Sequence, residues 1–192
     1  KGVGIASTGP LIQEKGVLFK PNNLPFDYVP LTKPITEELN TPSYLINDCG
    51  AAALGERTFG AAKGLDNYVY VTISTGIGSG AIVNGTLLSG KDGNAHEIGH
   101  IVIDCEGKLM CTCGRRGHWE AYCSGVGIPN FVRMRFRDLP KRMVKESLLF
   151  MRMRGDLSRL TAADLFATAK EADGLSVKLV NEIGVLNAMG FA

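Results

Sequence analysis

The sequence predicts an α/β protein in which strands come first and helices later. Three observations carry that expectation. Tyr68-Val-Tyr-Val-Thr-Ile-Ser74 is dense in β-branched and aromatic residues, which suit a pleated strand, and Asn84-Gly85 between two further apolar runs asks for the left-handed backbone of a tight hairpin turn. From Trp119 onward, apolar residues recur at helical spacing. The composition of the 192 residues, 45% apolar and 21% charged, supplies material for a buried core and excludes a disordered or fibrous chain.

Taken in order, Val3 to Ile12 reads as a strand broken by the Gly9-Pro10 turn, and Pro21 to Pro34, rich in Pro, Asn and Asp, as a loop. Ile35 to Leu39 suits a short helix that ends before Pro42. Ser43 to Ile46 is a short strand ending on Asn47-Asp48, and alanine-rich Gly50 to Glu56 is helical after a capping residue. Asn47 and Asp48 therefore sit at a strand-to-helix corner. Gly60 to Asn67 is a turn and the place for a hinge, which divides the chain into residues 1–62 and 63–192. The strand Tyr68 to Ser74 leads through a glycine turn into the hairpin of Gly80 to Val83 and Thr86 to Leu88. A further strand is expected over Ile101 to Asp104, and helices over Asn130 to Arg154, Ala162 to Ala172 and Leu175 to Met189. There is no internal repeat and no low-complexity run.

Charge and cysteine usage narrow the function classes. With 21 Lys+Arg against 19 Asp+Glu the net charge is +2, which is no signature of a polyanion binder. Nothing approaches the roughly 18 consecutive apolar residues of a membrane span, and the first residues form no secretory signal, so a cytoplasmic protein with no membrane partner is expected. Cys49, Cys105, Cys111, Cys113 and Cys123 are odd in number, which argues against a disulfide framework. Between Phe131 and Leu160, nine basic residues (Arg133, Arg135, Arg137, Lys141, Arg142, Lys145, Arg152, Arg154, Arg159) face Asp138, Glu146 and Asp156. Without an aromatic platform or recognition motif this reads as a solvated helix face rather than a nucleic-acid surface, with Phe131, Phe136, Met143 and Phe150 on its buried side.

Three short motifs carry chemistry. Thr75-Gly-Ile-Gly-Ser-Gly80 follows a strand but precedes another strand, which excludes the dinucleotide-binding βαβ reading. It still offers Gly76, Gly78 and Gly80 for a close approach of backbone N–H groups to phosphate, with the Thr75 hydroxyl beside them, or simply a tight hairpin. His96-Glu-Ile-Gly-His100 matches the HExxH of zinc metalloproteases, whose two histidines must lie one turn apart on a continuous helix. Gly99 within the motif and β-branched Ile101-Val-Ile103 after it leave little room for that helix, so the protease is a remote alternative. Cys111-Thr-Cys113 and His118, with His100, give two thiolates and two imidazoles, the closed tetrahedral donor set of a structural Zn²⁺.

Together these stretches resemble the ROK family (repressors, open reading frames, kinases), above all its glucokinases and hexokinases. Gly4 to Pro10 is similar to the family's early strand and Gly-Pro turn, and Asn47-Asp48 with Ala51 to Glu56 to its NDxxxAALGE-like motif. Ser74-Thr-Gly-Ile-Gly78 matches its second phosphate motif and Glu97-Ile-Gly-His100 its ExGH. Cys111-Thr-Cys-Gly-Arg-Arg-Gly-His-Trp-Glu120 matches its CxCGxxGCxE, with His118 in place of the third cysteine. The resemblance implies an actin-like ATPase (ribonuclease H-like) sugar-kinase fold of two domains, truncated at both ends. Residues 1–62 would be the remainder of a small N-terminal α/β domain, and 63–192 a large domain with the phosphate-binding hairpin, the zinc loop and the C-terminal helices. The family's first phosphate loop and its C-terminal glycine motif are absent, so the chain is expected to be the central part of a kinase and inactive by itself.

The resemblance also implies roles. Asp48 would be the general base toward a hexose, most simply glucose; taken alone, an aspartate there also fits a plain helix cap. Asn47, Asp48, Glu97, His100 and Glu120 would hold the sugar hydroxyls. Thr75, Gly76 and Gly78 would contact the phosphates of ATP, bound with Mg²⁺. His100, Cys111, Cys113 and His118 would bind a structural zinc. A homodimer or larger homo-oligomer is expected, as the family favours. The alternative within the family is a sugar-responsive transcriptional regulator.

Overall fold

A computed structural model describes residues 1–21 and 24–192; Asn22 and Asn23, within the expected loop, lie outside the described residues. By their internal packing the residues form two units, Lys1–Thr72 with Gly78–Glu97, and Ile73–Ile77 with Ile98–Ala192.

In the first unit, β1 (Val3–Ser7) pairs in parallel with β5 (Ser43–Asn47), placing Ser7 opposite Asn47. Between them run three very short antiparallel strands, β2 (Leu11–Ile12), β3 (Val17–Phe19) and β4 (Tyr28–Pro30), in the order β2-β3-β4. Part of the expected loop is thus a strand, held because Leu11, Leu18 and Leu45 bury together with Ile5, Val29 and Leu31 around them. The first helix, α1 (Thr32–Leu39), ends on Asn40 in the left-handed conformation, before Pro42 as expected. α2 (Asp48–Phe59) follows β5 directly.

The strands β6 (Tyr68–Ile73), β7 (Ile77–Val83) and β8 (Thr86–Leu87) form a sheet in that order. Asn84 and Gly85 take φ +48° and +73°, the primed turn that the dipeptide predicts. This sheet is tied to α2. The Tyr68 hydroxyl donates to the Ala53 carbonyl at 2.6 Å, and Arg57 bonds the Gly85 carbonyl and Asp66. The division expected after residue 62 therefore falls inside the first unit rather than between the two.

In the second unit, the run Ile101–Asp104 is not a strand. Its β-branched residues find only an isolated bridge, Val102 to His118, because the partner segment turns away through Gly107, Gly114 and Gly117, all at positive φ. Helices follow: α3 (Glu120–Cys123), α4 (Gly127–Asp138), α5 (Lys141–Glu146), α6 (Leu148–Arg152), α7 (Ala162–Lys170) and α8 (Gly174–Phe191). The single helix expected over 130–154 is three, since Pro140 has no N–H to continue α4 and Ser147 caps α6 through the Phe150 N–H. Trp119, Val132, Leu149, Leu165, Leu179 and Ile183 form the core. Phe131 and Phe136 are buried as expected, whereas Met143 is 44% exposed, because α5 turns its neighbour Val144 inward and successive residues on a helix point about 100° apart. Arg135 forks onto Glu182 at 2.7 and 3.0 Å, locking α4 to α8. Among the described residues no helix is long and apolar enough to cross a membrane.

Candidate functional site

The residues singled out from the sequence divide between the two units. Asn47, Asp48, Gly78 and Glu97 belong to the first, and Thr75, Gly76, His100, Cys111, Cys113, His118 and Glu120 to the second.

In the first unit β5 delivers Asn47 and α2 begins on Asp48. The helix cap is Asn47: its Oδ1 accepts the N–H groups of Cys49 and Gly50 at 2.9 and 3.2 Å, and its side chain is buried. Asp48, at the first helical position, is exposed and accepts the adjoining Cys49 N–H, so the capping role considered for it falls to its neighbour. Asp48 and Glu97 come within electrostatic reach of one group, the Cys49 thiol. Burial first, and then the charges of Asp48 and Glu97, push that thiol up to about 12, so it stays neutral.

The stem of the glycine hairpin rests on this corner. A methyl on Gly78 would lie 2.7 Å from the Cys49 sulfur, and one on Gly80 would lie 2.3 Å from the Cys49 carbonyl oxygen. Neither glycine has a positive φ, so each is needed for space and not for backbone freedom. Glu97 ends a loop from Leu88 that turns through Gly90, Gly93 and His96, at φ +70°, +87° and +62°. The His96 carbonyl accepts a bond from the buried hydroxyl of Ser79 on β7.

In the second unit the hairpin tip lies against Glu120. Glu120 Oε2 accepts the Ile77 N–H at 2.9 Å, and a methyl on Gly76 would be 2.5 Å from the same oxygen. The Ser74 and Thr75 carbonyls accept the N–H groups of Gly125 and Val126 at 2.7 and 3.3 Å, leaving the Thr75 side chain exposed. Glu120 Oε1 accepts the Thr112 hydroxyl at 3.0 Å, and Cys111 Sγ lies at 3.5 Å. Glu120 therefore joins the hairpin tip to the Cys111–Cys113 loop. The role of Thr112 was not read from the sequence, where it stood only as the residue between two cysteines.

His100, Cys111, Cys113 and His118 place one ligand atom each within 4.8 Å of one another. Cys113 Sγ is 3.3 Å from His118 Nδ1, and the two imidazole rings are 5.3 Å apart. The knuckle closes because the Gly114 N–H returns to the Cys111 carbonyl at 3.0 Å and the Cys111 N–H to Arg115 at 2.8 Å. Burial, then the neighbouring His100 charge, lowers the pKa of His118 and favours the neutral imidazole that ligates metals. Burial pushes the Cys111 thiol up to about 11. Two sulfurs and two nitrogens converging with no carboxylate among them fit a tetrahedral zinc, whose bonds are about 2.0–2.3 Å long.

His96 is not part of this group. Ile98–His100 is a single tight 3-10 turn and His96 is left-handed, so the two histidines of the HExxH match share no continuous helix, and the metalloprotease arrangement is absent.

The ROK family pattern matches residues 1–192. The chain is 46% identical over 129 residues to the glucokinase of Pyrobaculum calidifontis, an alignment taking in 67% of this chain and 43% of that one. It is 44% identical over 123 residues to the xylose repressor of Bacillus subtilis, with 64% of this chain and 32% of the repressor aligned. A crystal structure of a ROK family glucokinase from Streptomyces griseus, in complex with glucose and AMPPNP, superposes with a TM-score of 0.77 at 28% identity over 100% of this chain and 60% of that one. The chain spans about half the length of the curated relatives it matches.

Proposed function

The chain belongs to the ROK family and has the fold of its sugar kinases, and from that premise we propose that the protein is an ATP-dependent hexose kinase that converts glucose to glucose 6-phosphate. The observation that carries the reading is the corner of β5 and α2. Because Asn47 satisfies the helix N-terminus, the Asp48 carboxylate is left exposed at a fixed position. In this reading the primary hydroxyl of the sugar attacks the γ-phosphorus of ATP, its proton passes to an Asp48 carboxylate oxygen, and ADP leaves. Asn47, Glu97, His100 and Glu120 bind the remaining hydroxyls, with the motif match as support for each.

Thr75, Gly76 and Gly78 are assigned to the ATP phosphates. The exposed Thr75 hydroxyl and the bare Cα of Gly76 support this, whereas Gly78 is turned to Cys49. Mg²⁺ bound with ATP would neutralise phosphate charge. His100, Cys111, Cys113 and His118 would hold a zinc that shapes the loop carrying Thr112 and leaves no open position for chemistry. A cytoplasmic homo-oligomer completes the reading.

The similarity to the xylose repressor supports a second reading, a sugar-responsive regulator. ADP release by the full-length protein with ATP, Mg²⁺ and a hexose panel separates the two. The kinase reading expects turnover that is best with glucose and falls about 10²–10⁴-fold in Asp48→Asn. Sugar binding without turnover would overturn it in favour of the regulator.

A further inference from the structure

We propose that Asn94 is a positioning residue for Glu97, holding that carboxylate at the Gly9-Pro10 corner where a sugar hydroxyl is bound. The inference rests on the sugar-kinase reading of Glu97 and adds a residue that the motif match does not include. Glu97 stands at the end of a loop with no regular hydrogen-bond ladder and three left-handed residues, so its place depends on a few discrete anchors. Asn94 is one of them. Its Oδ1 accepts the Leu11 N–H at 2.8 Å and its Nδ2 donates to the Leu11 carbonyl at 2.8 Å, so the side chain occupies both backbone groups of one residue as a neighbouring strand would. This pairing fixes the orientation of the amide, because only one face accepts and only the other donates.

Leu11 is 1% exposed and packs with Leu18 and Leu45, so the clamp reaches directly into the core of the unit. Beside it, the Gln13 N–H bonds the Asp92 carbonyl at 3.2 Å. The position of Gly9 shows what the clamp sets. A methyl there would be 3.2 Å from Asn94 Oδ1 and 3.9 Å from Glu97 Oε1, so the corner faces both side chains at once. The Asn94 clamp and the Ser79 bond to the His96 carbonyl thus bracket the two residues before Glu97 and leave its backbone little freedom.

The test is a double-mutant cycle on the full-length protein, read by calorimetric titration of glucose and by KM for ATP. The variants are Asn94→Ala, Glu97→Gln and the pair. Loss of the amide's hydrogen bonds is expected to weaken glucose binding about tenfold in the wild-type background. In the Glu97→Gln background it should change binding less than about twofold, because the group being positioned has lost its charge. KM for ATP should stay within about twofold. Asn94→Asp keeps the bond from the Leu11 N–H, loses those that Nδ2 donates to the Leu11 and Asp92 carbonyls and adds a charge near Glu97. It covers the case in which Asn94→Ala fails to fold, and its loss of glucose binding should shrink when Glu97 is Gln. Equal losses in both backgrounds, or a parallel rise in KM for ATP, would show a merely structural clamp and overturn the inference. Unchanged binding in Asn94→Ala would overturn it as well. A wild type that binds no hexose would sink the sugar-kinase reading first, and the inference with it.

Discussion

Replacing Gly80 by alanine probes the packing that fixes the Asp48 corner. A methyl at Gly80 would sit 2.3 Å from the Cys49 carbonyl oxygen and 2.8 Å from the Ala53 methyl. Ordinary contact begins near about 3.5 Å, so β7 and the first turns of α2 would have to part by about 1 Å. Neither obstacle can swing aside, one being backbone and the other a methyl fixed to the helix. Overpacking of this kind costs about 1–3 kcal/mol, and moving a reacting group by about 1 Å costs on the order of 100-fold in rate. Gly55→Ala supplies the control within α2: nothing lies within 4 Å of its added methyl, and alanine in a helix interior gains about 1 kcal/mol over glycine. One chemical change at two sites should therefore separate the variants by about 2–4 kcal/mol in urea unfolding of the full-length protein, with turnover falling only in Gly80→Ala. Equal stabilities would refute the close packing of β7 on α2. A destabilised Gly80→Ala with full turnover would show that the strain is absorbed away from Asp48.

Two further outcomes are expected. Zinc should be present at one ion per chain in protein purified without chelator; its removal, or Cys113→Ser, should lower the unfolding midpoint, whereas His118→Cys should retain the ion, and a metal content unchanged in Cys113→Ser would contradict the four-ligand site. Tyr122→Phe should cost about 1 kcal/mol, a low value because Asp104 is only half-buried, with a distinct pH window. Burial tends to raise the Asp104 carboxyl, but the Tyr122 hydroxyl and the N–H groups of Lys108 and Glu106 outweigh it and leave it below its ordinary value, while burial and Asp104 push Tyr122 up to about 12. A depressed carboxyl stabilises above its unfolded pKa of about 4, and a raised phenol below its unfolded pKa of about 10. The cost should be flat between those limits and should shrink as pH falls below about 4; a difference that persists undiminished at pH 3 would refute the assignment.

The parts of this protein that were legible in the sequence are those set by local chemistry. Asn84-Gly85 made its turn because both residues tolerate positive φ, and Thr161 and Asp164 form a capping box at the start of α7 where the helical pattern begins. The four candidate metal donors were legible from residue type and spacing alone, and the structure brings their ligand atoms within 4.8 Å of one another. Less legible were elements decided by partners distant in sequence. β2, β3 and β4 have two or three residues each, too few for any periodicity, and exist because Leu11 and Leu18 meet Leu45. Ile101-Val-Ile103 has the residues of a strand but lacks a partner long enough to make one. The break at Pro140 could have been read, since the residue before a proline disfavours helix. Asn94 could not: a polar residue in a glycine-bearing loop gives no sign that its amide will pair with a core leucine eighty-three positions away.

Glu120 is a motif residue whose two carboxylate oxygens are both already engaged. Its carboxylate accepts the Ile77 N–H through one oxygen and the Thr112 hydroxyl through the other, with Cys111 beside the second. A carboxylate offers about four acceptor positions, so a sugar hydroxyl can be added only in the directions these donors leave. The same arrangement occupies the Ile77 N–H, so under the kinase reading the phosphate contacts of the hairpin would fall to Thr75 and Gly76 rather than to the residue that follows them. Removing Glu120 would therefore release the hairpin tip and the cysteine loop together, and the resulting loss of activity would not measure a sugar contact. The carboxylate open to a direct test is Asp48, which the helix cap at Asn47 leaves exposed, while the place of Glu97 is tested by cutting its anchor at Asn94.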